Sequence, residues 1–61
     1  MTKYNIGDIL HDDLQDRHYL IEDIRDLPET RYFFRLLETD QLGSFNAHLL
    51  DHYYEGIEVV A

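Results

Sequence analysis

The chain has no cysteine and no tryptophan, one proline, three glycines and only five basic residues among 61. Without cysteine there is no disulfide staple and no thiolate zinc site. Five scattered Lys and Arg are too few to grip a phosphate backbone, so direct nucleic-acid binding is not expected. Anionic membrane surfaces are disfavoured on the same ground. No apolar run approaches the roughly 20 residues of a membrane span. The opening residues, Met1 to Asp8, hold no apolar h-region, so no export signal is expected.

The parts of an enzyme are also scarce. Ser44 is the only serine, and nothing sets it beside a histidine with an orienting carboxylate. No glycine-rich phosphate loop exists. Carboxylate pairs such as Asp12–Asp13, Glu22–Asp23 and Glu55/Glu58 need a pocket to shift their pKa values, and so short a chain has little interior to form one. The expectation is a non-catalytic protein without a cofactor.

What remains is acid and aromatic. Thirteen Asp and Glu give a formal charge of -8, while apolar residues make up 44%, a globular proportion. Residues 1–61 are expected to form one small domain that buries about 60% of its unfolded surface. Eight aromatics, five Tyr and three Phe, are more than one small core encloses, so some should lie at the surface or in a contact.

Pattern along the chain points to strands. Residues 4–10 read as a short strand interrupted by Gly7, and His11–Arg17 as a polar loop. Residues 18–25 mix aromatic and β-branched side chains and suit a strand. Pro28 marks a break. In residues 30–38, alternation puts Tyr32, Phe34 and Leu36 on one face and Arg31, Phe33 and Arg35 on the other. Residues 39–41 turn, and 42–46 return as the partner strand. Asn46 then caps a helical turn over residues 47–52, Gly56 stops it, and residues 57–60 form a last strand. A second arrangement competes: Leu10, Leu14, Arg17, Ile21 and Ile24 keep a four-three spacing, which predicts a helix over about 10–26 packed on a three-stranded sheet, an α+β fold.

The order strand, acidic loop, two strands, tight turn, strand, helical turn, strand resembles the SH3-like small β-barrels, an all-β class. The likeness is carried by Ile6-Gly7-Asp8-Ile9-Leu10, Tyr19 to Ile24, Tyr32 to Glu38, and Leu49-Leu50-Asp51 with Ile57 to Val60. The layout is also similar to small uncharacterised proteins of tailed bacteriophages. It departs from the pattern at Asp40-Gln41, where such turns often carry glycine; Asp tolerates a left-handed backbone there. The resemblance implies a non-catalytic binding or assembly module and, for a phage protein, the cytoplasm of a bacterial host.

Three sets of residues are candidates for contact. Arg31, Phe33 and Arg35, joined by Tyr53 and Tyr54, have the aromatic–arginine composition of interface hot spots, suited to a protein partner or to self-association. Asp12, Asp13, Asp16, Glu22, Asp23 and Asp26 are the acids of an alternative role, an inhibitor that mimics nucleic acid on a basic host surface. His48 and His52, four apart on the helical turn, have metal-ligand spacing but no evident third ligand, so no metal is assigned.

Overall fold

A computed structural model of the chain describes residues 2–61. Five antiparallel strands form one sheet: β1 (Ile9–Asp12), β2 (Arg17–Arg25), β3 (Arg31–Leu36), β4 (Gln41–Asn46) and β5 (Ile57–Val59), with one short helix, α1 (Ala47–His52), between the last two. The strand order is β4-β3-β2-β1-β5. The fold is therefore all-β, and the helix considered for residues 10–26 does not form: that stretch is strand, turn, strand.

The misleading helical spacing has two physical sources. The first is the turn at residues 13–16. Asp12 is buried, and its Oδ1 accepts from the N–H groups of Leu14 and Gln15, while Asp16 takes a left-handed φ of 54°. Leu14 thus lies on an exposed turn rather than in a stripe. The second is a β-bulge between Ile21 and Asp23. Ile21 and Ile24 are three apart, which in a regular strand would put them on opposite faces. The bulge restores both to the core.

The first strand also begins later than its composition indicates. Residues 4–8 form an irregular entry in which Gly7 sits at φ 95° and Asp8 N–H donates to Asn5 O. Pairing with β2 starts there, from Gly7 N–H to Ile21 O at 2.8 Å, and continues through Ile9↔Leu20 to Asp12↔Arg17. His11 and Asp12, expected in a loop, belong to β1.

The other elements form within a residue or two of their expected bounds, but Gly56 does not stop the helix: α1 ends at His52 with Tyr53 as a right-handed C-cap, and Gly56, at φ 75°, turns the chain into β5. Tyr32, Phe34 and Leu36 turn inward from β3. Asp40 adopts φ 64° in the β3–β4 turn. Asn46 caps α1, its Oδ1 accepting from Leu49 N–H at 3.1 Å. Tyr4, Leu10, Tyr19, Ile21, Tyr32, Leu36, Ala47 and Leu50 form the buried core, with Ile24, Phe34, Phe45 and Ile57 against it. Phe45 lies on one edge strand and Ile57 on the other, yet both reach this core. The sheet is curled so that its edges converge, and Tyr54, just before β5, meets Phe45 edge-on at 5.7 Å.

Candidate interaction surface

The outer face of β3 is less open than its composition indicates. Arg31 donates to Glu29 at 2.9 Å and to the Ser44 hydroxyl; Arg35 donates to Glu22 and to Asp40, each at 2.9 Å. Phe33 is half-buried beneath the Arg25 guanidinium, 4.7 Å from its ring centre. Both expected arginines are already engaged within the chain.

Each of the six acids has a partner within the chain. Asp12 is buried in the turn. Asp13 and Asp16 contact His11 at 2.8 and 2.9 Å. Glu22 holds Arg35, Asp23 holds Arg25, and Asp26 accepts from the Thr30 hydroxyl. The Arg25 guanidinium, reinforced by the Ile24 N–H, keeps the Asp23 carboxyl below its ordinary range.

Tyr53 and Tyr54 are both exposed, and they diverge. Tyr53 leans on His48, while Tyr54 joins an aromatic cluster with Phe45, Phe34 and Tyr19. Phe34 and Phe45 stack at 4.6 Å, and Tyr19 meets them edge-on at 4.8 and 5.1 Å. The stack depends on Gly43, directly across the strand pair from Phe34: a Cβ there would lie 2.6 Å from the end of the Phe34 ring.

These four rings line a groove of about 400 Å³, with Leu36, Leu42, Gln15, Arg17 and Gln41 around it. Past Tyr54 it continues into a smaller hollow of about 200 Å³ bordered by Leu14, Glu55 and Ile57. The groove runs beside β4, which is an edge of the sheet. β4 reads Gln-Leu-Gly-Ser-Phe-Asn, the one strand of the five without a charged residue. Leu42 on it is 68% exposed. Sequence reasoning did not single out Leu42 or Phe45. The available signal was the uncharged run 41–46 in a chain that is 30% charged.

A second hollow of about 470 Å³ lies beside α1, lined by Thr2, Ile24, Asp26, Thr30, Ala47, His48, Asp51 and His52. The His48 and His52 rings are 4.9 Å apart, but among the described residues no third ligand joins them. Three other side chains do converge: ligand atoms of His11, Asp13 and Glu58 lie within 4.8 Å of one another. The Asp16 hydrogen bond, with Asp13 beside it, raises the His11 pKa above 6.5. On the neighbouring strand His18 stacks 4.7 Å from His11 and contacts Glu38 through Nδ1 at 2.6 Å. The His18 backbone N–H and then its ring draw the Glu38 pKa down to about 2.

Among the described residues, no helix is long and apolar enough to cross a membrane. Comparison of the chain with protein-family models, curated proteins and solved structures finds no match.

Proposed function

We propose that the chain is a non-catalytic protein-interaction module that pairs an extended, basic segment of a partner along β4 and seats its apolar side chains in the adjoining aromatic groove. The observation that carries this reading is the conjunction at one edge: a strand without charge, an exposed leucine and a groove lined by four aromatic rings. Natural sheets usually guard an open edge with charge, proline or a cover, because unpaired N–H and C=O groups recruit another strand. Strand addition uses those groups for affinity and side-chain pockets for specificity. The net charge of -8 favours a basic partner and disfavours a second copy. A helical turn before the last strand and the placement of β1 between β2 and β5 are in keeping with an SH3-like barrel; kinship to small phage proteins and a bacterial cytoplasm rest on the sequence resemblance alone. Mimicry of nucleic acid is the less favoured reading, since Asp12 is buried and Glu22, Asp23 and Asp26 hold partners within the chain.

The test is selection from random 12-residue peptides displayed against the folded protein. Enriched peptides should combine apolar residues with Lys or Arg. Leu42→Lys and Tyr54→Ala should each weaken their binding about tenfold or more without changing the far-UV spectrum, as expected for truncated hot-spot contacts. No enrichment, or binding indifferent to both substitutions, would reject the reading.

A further inference from the structure

The outer face of β1 and β5 carries a feature that strand addition at the opposite edge does not use. His11 and Glu58 are directly paired residues of the two antiparallel strands, so their side chains leave the same face as neighbours. Asp13 follows two residues after His11, and its backbone is fixed by donation to Gly56 O at 2.8 Å. Its Oδ1 lies 2.8 Å from His11 Nδ1, while Asp16 Oδ1 lies 2.9 Å from His11 Nε2. A neutral imidazole has only one N–H. The imidazolium satisfies both contacts with its two N–H groups, and so does a metal ion on Nδ1 with the proton kept on Nε2. Among the described residues no Lys or Arg forms an ion pair with Asp13, Asp16 or Glu58. Three carboxylates thus surround one imidazole with no basic side chain paired to them.

We propose that His11, Asp13 and Glu58 form a zinc-binding site that fastens β5 to β1, with Asp16 holding the imidazole from its far nitrogen. An imidazole with two carboxylates is a ligand set for Zn²⁺ completed by water, whereas Ca²⁺ takes six to eight oxygens. Zinc bonds of about 2.0–2.2 Å at tetrahedral angles separate neighbouring ligand atoms by about 3.3 Å. The Nδ1–Asp13 contact must then open by about half an ångström, within reach of side-chain rotation. Asp16 on Nε2 is the carboxylate–histidine–zinc arrangement that fixes which nitrogen faces the metal.

The experiment is thermal unfolding of the full chain in a non-chelating buffer, with EDTA or with ZnCl₂. The site predicts a rise in melting temperature of about 5 °C or more at saturating zinc. His11→Gln and Glu58→Gln should abolish the rise, and the double variant His48→Gln, His52→Gln should retain it. On the unsubstituted chain, ring ¹⁵N signals of His11 should move with zinc while those of His48 and His52 stay. No rise, a rise that survives both His11→Gln and Glu58→Gln, or shifts confined to His48 and His52 would overturn the proposal. Peptide binding at β4 is read separately, so either result leaves the other intact.

Discussion

The hydroxyl of Tyr32 donates to Asp51 Oδ1 at 2.6 Å and accepts from Tyr4 N–H at 3.2 Å. One buried side chain thereby joins β3, α1 and the entry segment, whose Tyr4 ring meets Tyr32 edge-on at 5.8 Å. Burial, and then the Asp51 carboxylate, push the Tyr32 pKa up to about 12. A pKa raised in the folded state means that stability is intact below the ordinary value of 10 and is lost as pH rises through 12. Unfolding measured between pH 9 and 12 should therefore show a steep alkaline loss that is shallower in Tyr32→Phe. The same variant should be less stable at pH 7 by about 1–3 kcal/mol, because Asp51 and the Tyr4 N–H lose a partner. Parallel alkaline curves for the two proteins would refute this account.

Six residues are too few for a helix to persist alone, so α1 depends on its cap and on the burial of Ala47 and Leu50. Asn46→Ala should lower stability by about 1 kcal/mol in urea titrations, as for other removed caps, and an unchanged midpoint would deny the cap its role. This element was legible because its signals are local: a capping residue and two apolar positions. The β3–β4 hairpin was legible for the same reason, with alternation and an Asp able to turn left-handed. The start of the chain was not. Whether His11 and Asp12 are loop or strand depends on their pairing with His18 and Arg17, which composition does not encode. Ile21 and Ile24 imitate a helix because the bulge that reconciles them is a property of the strand pair. The candidate site was legible only in part. Tyr54 was named for its aromatic character, but Leu42 and Phe45 matter through their place beside an open edge, and Arg31 and Arg35 pointed elsewhere because their partners were unseen.

At the scale of the whole molecule, charge has two opposing effects. Short ion pairs such as Arg35–Glu22 and Arg31–Glu29 lie on side chains open to water, where such pairs contribute little. The remaining excess of acid repels itself throughout the fold. Raising NaCl from about 10 to 150 mM shortens the screening length from roughly 30 to 8 Å. The melting temperature of the metal-free chain should therefore rise with salt, and light scattering should report a monomer at both concentrations. A falling melting temperature would mean that the local pairs outweigh the global repulsion.

Gly43 and Phe34 share a single volume. The ring occupies the space that a side chain on the neighbouring strand would need, 2.6 Å from where that side chain would begin. The floor of the groove is thus written at two positions that are not independent. Enlarging one requires reducing the other, so the groove's shape is altered by paired exchange across the strands and not by a single step.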